Sequence, residues 1–153
     1  MDLILWRHAE AELLQEGQDD LQRCLTSKGE RQARRMAEWL HRRLADSTRV
    51  LVSPAVRTQQ TARALDRRFK TVPSLAPNCG ADDLLAAARW PESAEPVLVI
   101  GHQPTLGIVA ARLLSGTDQA WSVKKGAVWW LGQRDREGMG QVTLLAMQAP
   151  DRL

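Results

Sequence analysis

The sequence predicts an α/β protein, a three-layer α/β/α sandwich around a mostly parallel sheet with a C-terminal β-hairpin at its edge. Short apolar runs alternate with helical patterns as far as residue 114, which is typical of a parallel sheet with helices on both faces. The chain then changes character. Residues 126–133 and 141–147 have the composition of two strands, and the charged, glycine-rich turn RDREGMG lies between them.

Length and composition fit one soluble domain over residues 1–153. Apolar residues make up 44% of the chain and charged residues 25%, as in ordinary globular proteins. The two cysteines, Cys24 and Cys79, are too few for a disulfide framework and lack metal-site spacing. No secretory signal or membrane-length apolar run is present, so we expect a cytoplasmic protein without a membrane partner. A net charge of +3 is compatible with binding to nucleic acid, to an acidic protein surface, or to a phosphate in a site with several arginines.

The first predicted strand, residues 3–6, is a run of four apolar residues that ends directly in Arg7 and His8. Ligands of open parallel sheets bind just beyond the carboxyl ends of the strands. Arg7 and His8 are therefore predicted to stand at the edge of a site. The polar loop 11–25 follows, and we expect ordinary loop roles for its charged residues Asp19, Asp20 and Arg23.

A helix is predicted from Thr26 or Ser27 to about residue 46. Thr26 and Glu30 resemble a capping box. Apolar residues recur at helical spacing on one face: Ala33, Met36, Ala37, Leu40 and Leu44. Arginines occupy the rest of the surface, and we interpret them as a solvated outer face, although a basic helix can also bind nucleic acid.

The second strand, residues 49–53, leads into a helix predicted over residues 54–69. Ser53 suits the N-cap of this helix and Pro54 its first position. Arg57 then lies in the first turn, where free backbone N–H groups already favour an anion. The sequence therefore predicts a phosphate or carboxylate site here.

An extended piece at residues 71–73 and a loop at 74–81 precede a short helix that Asp82 or Asp83 is expected to cap. Residues 97–100 form a continuous apolar run, which indicates a strand buried on both faces. Gly101 and His102 follow this strand, and a helix is predicted from Pro104 to Gly116.

Three strand ends thus carry two arginines and two histidines, and neighbouring strands would bring them together. Arginine offers paired hydrogen bonds to phosphate oxygens. A neutral imidazole can attack phosphorus and hold the phosphoryl group covalently. The pattern as a whole predicts a phosphoryl-transfer site.

The same residues resemble a known family. LILWRHAE, VLVSPAVRTQQTA and LVIGHQP are similar, in order and spacing, to the three motifs of the histidine phosphatase superfamily, and the resemblance covers nearly the whole chain. It implies that His8 is the phosphorylated nucleophile and that Arg7, Arg57 and His102 complete the phosphate pocket. It also implies an enzyme that needs neither metal nor cofactor.

Within that superfamily the chain resembles the small SixA-type phosphohistidine phosphatases, because only residues 58–100 separate Arg57 from Gly101, where larger members carry a lid or insertion. The stretch RCLTSKG at residues 23–29 and the Cys-Gly pair at 79–80 fit the same subgroup. This resemblance implies a substrate that carries phosphohistidine on a protein, either a phosphotransfer domain or a phosphotransferase component. It does not imply a nucleic-acid partner.

Two departures from the family pattern concern Ala9, where the family usually has glycine, and the proton donor. No residue clearly matches the acidic donor of larger members. Asp82 and Asp83 are candidates, although capping explains them as well. Two alternatives remain open at this stage: a phosphatase for small phosphate monoesters, and a basic nucleic-acid or protein-binding module that only the arginine-rich helix 28–46 supports.

Overall fold

The computed structural model describes residues 1–134 and 140–153. Six strands lie in this part of the chain: β1 (Asp2–Arg7), β2 (Arg49–Val52), β3 (Lys70–Thr71), β4 (Val97–Gly101), β5 (Val128–Arg134) and β6 (Gln141–Gln148). The α-helices described are α1 (Ser27–His41), α2 (Val56–Ala64), α3 (Ala81–Ala88) and α4 (Thr105–Ser115). None of these helices is both long and apolar enough to cross a membrane.

The strands form one sheet in the order β3-β2-β4-β1-β5-β6. Strands β1 to β4 pair in parallel, whereas β5 pairs antiparallel with β1 and with β6. The predicted mostly parallel sheet with a C-terminal hairpin at its edge is therefore confirmed. The predicted turn RDREGMG falls mainly on residues 135–139, which lie outside the described residues.

Helices cover both faces of the sheet, which confirms the predicted three layers. Alternate residues of a strand point to opposite faces, so each strand contributes side chains to two hydrophobic cores, one on each face of the sheet. On one face, strand residues pack with α1 and α2: Ile4, Trp6, Val50, Val52, Leu98 and Ile100. On the other face, strand residues pack with α3 and α4: Leu3, Leu5, Leu51, Val97 and Val99. All five residues of β4 are buried, as its continuous apolar run predicts.

The predicted start of α2 is wrong. The helix begins at Val56 with Ala55 at its N-cap, and no side chain caps it. Ser53 lies two residues earlier, where its hydroxyl accepts a hydrogen bond from the Ala55 N–H. The predicted end at residue 69 is also wrong, because α2 stops at Ala64 and Asp66 adopts a left-handed φ of 52°. This turn redirects the chain toward β3.

Two other helix starts differ from prediction. Thr26 caps α1 by accepting from the Gly29 N–H, but its own N–H donates to the Glu10 carbonyl, so the predicted capping box with Glu30 is only half formed.

Gly80, not an aspartate, is the N-cap of α3. Asp83 lies in the first turn and accepts from the Gly80 N–H. Helix α1 ends at His41 instead of near residue 46.

Candidate functional site

The carboxyl ends of β1, β2 and β4 are neighbours in the sheet, and this brings the predicted residues together. Arg7 is paired with Gly101, and the His8 N–H donates to the Gly101 carbonyl at 3.2 Å. The Ser53 N–H donates to the Ile100 carbonyl at 3.2 Å, which aligns the start of α2 with the same edge. The four predicted site residues all line one cavity of about 380 Å³: Arg7, His8, Arg57 and His102.

His8 is buried, with 6% of its surface exposed, and its tautomer follows from one contact. Its Nδ1 lies 2.7 Å from the Ala9 carbonyl oxygen, which can only accept, so Nδ1 carries the proton. The lone pair of the neutral ring is then on Nε2. Burial lowers the pKa of His8 to about 4, and the positive charges of Arg57, Arg7 and Arg23 act in the same direction. His8 is therefore a neutral imidazole at pH 7, which is the form that attacks phosphorus.

His102 is also buried, and its ring centroid lies 5.3 Å from that of His8. Its Nε2 is 2.7 Å from the Ser53 hydroxyl. Burial, followed by the neighbouring His8 and Arg57, lowers the pKa of His102 to about 3. The Nδ1 of His102 is buried and has no hydrogen-bond partner among the described residues.

The guanidinium groups of Arg7 and Arg57 are each fixed by hydrogen bonds. Arg7 Nη1 donates to the Val123 carbonyl at 2.9 Å. Arg57, only 3% exposed, donates to the carbonyl and carboxylate of Asp20 at 2.9 and 3.1 Å. The Nε–H of each arginine is buried without a partner in the described part of the chain. Both guanidinium groups are positively charged and line the cavity, so an anion in this cavity would be favoured.

Asp20 and Arg23 line the same cavity, so their interpretation as ordinary loop residues is wrong. The Asp20 carboxylate accepts from Arg23 Nε at 2.8 Å as well as from Arg57. Desolvation raises the pKa of Asp20, but the hydrogen bond from Arg23 and the charge of Arg57 outweigh it and hold the pKa below its ordinary value. The loop's position directly after His8 was the signal that pointed to them.

Three further polar residues of the cavity wall gave no signal in the sequence: Asn78, Gln103 and Lys125. Lys125 precedes β5, and the adjacent Gly126 N–H donates to the His8 carbonyl at 3.0 Å. Its arrival at the site depends on the antiparallel pairing of β5 with β1, which no local pattern specifies.

Asp82 and Asp83 lie outside the lining of this cavity. Asp83 accepts from the Gly80 N–H at 2.8 Å, and Asp82 pairs with Arg112 on α4. The structure thus gives both aspartates local partners. Asp20 is the carboxylate among the described residues that lines the cavity.

Ala9 occupies a position that does not need glycine. It is fully buried and packs with Leu25 and Ala33. The described non-glycine residues with positive φ are Asp66, Asn78 and Arg89, so residue 9 avoids the left-handed region. Its N–H donates to the Thr61 hydroxyl at 3.2 Å and its carbonyl accepts from His8. The side chain of Ala9 is compatible with the geometry that fixes the His8 tautomer.

A larger cavity of about 590 Å³ lies near the starts of β2 and β3, lined in part by Arg49, Phe69 and Lys70. Its lining includes none of the predicted site residues. Because both histidines and both arginines line the smaller cavity, the smaller cavity is the candidate active site.

Comparison with known proteins gives four findings. Residues 3–78 match the model of the histidine phosphatase superfamily (branch 1). The chain is 35% identical over 125 residues to phosphohistidine phosphatase SixA of Escherichia coli, covering 76% of each chain. The structure of a protein histidine phosphatase SixA complexed with tungstate is 27% identical with a TM-score of 0.79, over 99% of both chains. A solved Agrobacterium tumefaciens protein has a TM-score of 0.80 at 22% identity over 97% of both chains, which shows the shared fold.

Proposed function

Because the chain belongs to the histidine phosphatase superfamily and is of its SixA type, we propose that it hydrolyses phosphohistidine on a protein through a covalent phosphoryl intermediate on His8. One observation carries this proposal. The neutral imidazole of His8, with its lone pair on Nε2, lies in a cavity lined by two positively charged side chains, those of Arg7 and the buried Arg57. This arrangement suits an electrophile that is also an anion, as a phosphoryl group is.

In the first step, the phosphoryl oxygens accept hydrogen bonds from Arg7 and Arg57. We propose that the Ser53 hydroxyl donates to His102 Nε2, which lies 2.7 Å away, so that the proton of the neutral His102 ring is on Nδ1. His8 Nε2 forms a bond to phosphorus while the phosphorus–nitrogen bond of the substrate breaks. The bonding electron pair goes to the departing ring nitrogen of the substrate.

This leaving group explains how the site works without a strong general acid. A phosphohistidine that carries a proton on its other ring nitrogen departs as a neutral imidazole, so no protein group needs to protonate it. Asp20, the carboxylate in the cavity, is held ionised at neutral pH by Arg23 and Arg57. Its role in the proposal is to orient these two arginines.

In the second step, a water oxygen attacks phosphorus and the bond to His8 Nε2 breaks. The electron pair returns to Nε2, the water proton passes to the phosphate, and the Nδ1–H of His8 stays on the Ala9 carbonyl. Inorganic phosphate leaves and His8 is again neutral. The positive charges that lower the pKa of His8 also favour this departure, because they disfavour a proton on the ring.

The experiment that tests the proposal measures phosphate release from a phosphotransfer domain that carries phosphohistidine. The wild type is compared with His8→Ala, and His41→Ala serves as the matched control because His41 is exposed on α1, outside the site. We expect rapid release by the wild type and the control, and none by His8→Ala. Hydrolysis of an aryl phosphate without phosphate release from phosphohistidine would indicate that the substrates are small phosphate monoesters, and would contradict the proposal.

A further inference from the structure

Two adjacent leucines are exposed in a loop that is otherwise polar. Leu13 is 81% exposed and Leu14 54% exposed, between Glu12 on one side and Gln15 and Glu16 on the other. Single exposed apolar residues are common on protein surfaces, but an adjacent pair beside a functional cavity is a typical feature of an interaction surface. We call these two residues the leucine pair.

Hydrogen bonds to the backbone on either side hold the leucine pair in its exposed position. Immediately before it, the Glu12 N–H donates to the Cys24 carbonyl at 2.8 Å, and the Glu12 carbonyl accepts from Arg23 at 2.9 Å. Immediately after it, the Gln15 N–H donates to the Gln18 side chain at 3.1 Å. The chain is therefore fixed on both sides of the pair, so a partner would meet a surface that is already ordered.

The leucine pair is continuous with the active-site cavity. Leu13 lines the cavity that also contains His8 and Arg57, and Arg23, which holds the Glu12 carbonyl, lines it too. A phosphoryl group bound at the arginines is an anion and gains nothing from an apolar rim. A protein that inserts a phosphohistidine side chain into the cavity must cover the leucine pair beside it, and covering a leucine removes apolar surface from water.

From this placement we infer that the leucine pair is a docking surface for the protein substrate, and that it contacts apolar side chains next to the phosphohistidine. The inference rests on the proposed function. It assigns the recognition of the protein to the loop 11–25 and the recognition of the phosphoryl group to the arginines. Lys125 and Arg23, also on the cavity, would suit acidic side chains on the same partner.

The test uses the double variant Leu13→Ser/Leu14→Ser and two kinds of substrate. The protein substrates are a phosphotransfer domain and a phosphotransferase component, each carrying phosphohistidine, and the small substrate is free phosphohistidine. Leu144→Ser is the matched control, because Leu144 is 42% exposed on β6, which contributes nothing to the cavity. Leu13→Met, which keeps an apolar side chain, tests rescue.

We expect the double variant to lower the ratio of kcat/KM for at least one protein substrate to kcat/KM for free phosphohistidine by about tenfold, mainly through KM, since burial of one leucine is worth a factor of this order. The ratio for Leu144→Ser and Leu13→Met should stay near that of the wild type. An unchanged ratio for both proteins would overturn the docking surface and leave the proposed function standing. Failure of the wild type to release phosphate from either protein would overturn the proposed function itself, and the docking surface with it.

Discussion

The imidazole rings of His8 and His102 lie 5.3 Å apart between centroids, although one follows the first strand of the chain and the other follows β4. Both rings are buried, and burial is the largest cause of the lowered pKa of each, to about 4 for His8 and about 3 for His102. Two charged imidazoles beside Arg7 and Arg57 would repel one another. The pair is therefore neutral over the whole physiological range.

This neutral pair predicts an acid-sensitive fold. An unfolded histidine has a pKa of about 6.5, so below that pH the unfolded chain binds protons that the folded chain does not. The free energy of unfolding should fall as the pH drops from about 6.5 to about 4, by a few kcal/mol in total, since one pKa unit is worth about 1.4 kcal/mol. Urea unfolding at several pH values measures this. His8→Asn should show a shallower dependence on pH, and an equal slope in both proteins would contradict the prediction.

Ser53 is predicted to act through His102. Its hydroxyl is 2.7 Å from His102 Nε2, so Ser53→Ala removes the contact that fixes the tautomer of that ring. We expect kcat on phosphohistidine to fall by about 10- to 100-fold, the range that a lost hydrogen bond of this kind gives. Ser47→Ala, at an exposed serine away from the site, is the control.

A second readout separates this positioning role from a general loss of structure. The ¹⁵N chemical shifts of the His102 ring report which nitrogen carries the proton. In the wild type they should show the proton on Nδ1, and in Ser53→Ala a mixture of tautomers. Reduced kcat with unchanged ring shifts would mean that Ser53 supports the fold near Ala55 and does not set the tautomer.

The parts of the site that follow from strand order could be predicted, and the parts that follow from loop paths could not. Arg7 ends strand β1, and His8 and His102 come directly after β1 and β4, so any parallel sheet with those strands as neighbours brings the three residues together. Lys125 reaches the cavity only because β5 pairs with β1 in the antiparallel direction.

The incorrect prediction for Ser53 has a different physical cause. A serine before proline at a helix start has the propensity of an N-cap, and local propensity is all that the sequence reveals. In the folded chain α2 starts at Val56, three residues after Ser53, and the Ser53 hydroxyl is available to His102. The tertiary contact therefore overrides the local preference, which is common at functional sites.

Asp20→Asn tests how the carboxylate in the cavity affects anion binding. The Asp20 carboxylate neutralises part of the charge of Arg57 and Arg23, and it competes with a phosphate for their N–H donors. The amide keeps an acceptor oxygen but loses the negative charge. We expect inorganic phosphate to inhibit the variant competitively with a Ki lowered by about three- to tenfold, an effect that should weaken at high salt.

Asp19→Asn is the matched control, because Asp19 accepts from the Leu21 N–H at 3.0 Å and makes no ion pair with the arginines of the site among the described residues. Its Ki for phosphate should equal that of the wild type. A higher Ki in Asp20→Asn would show that the orientation the carboxylate gives to Arg57 matters more for phosphate binding than its charge.

Gly29→Ala should both destabilise the protein and impair the site. A Cβ at Gly29 would lie within 2.0 Å of the Glu10 carbonyl oxygen, which is backbone and cannot move freely. That carbonyl accepts from the Thr26 N–H, a contact that closes the loop carrying Asp20, Arg23 and the leucine pair. We expect the free energy of unfolding to fall by about 2 kcal/mol or more, as for other overpacked sites, and KM for a phosphohistidine-bearing protein to rise.

Lys28→Ala, at an exposed position in the same turn of α1, controls for changes in helix propensity and should lie within about 0.5 kcal/mol of the wild type. Urea unfolding measures the change in stability, and steady-state kinetics on a phosphohistidine-bearing protein measure the change in KM. If Gly29→Ala loses stability without a change in KM, the loop keeps its position by its other contacts, such as the Glu12 to Cys24 hydrogen bond. If it loses neither, the chain after β1 can move away from α1 at little energetic cost.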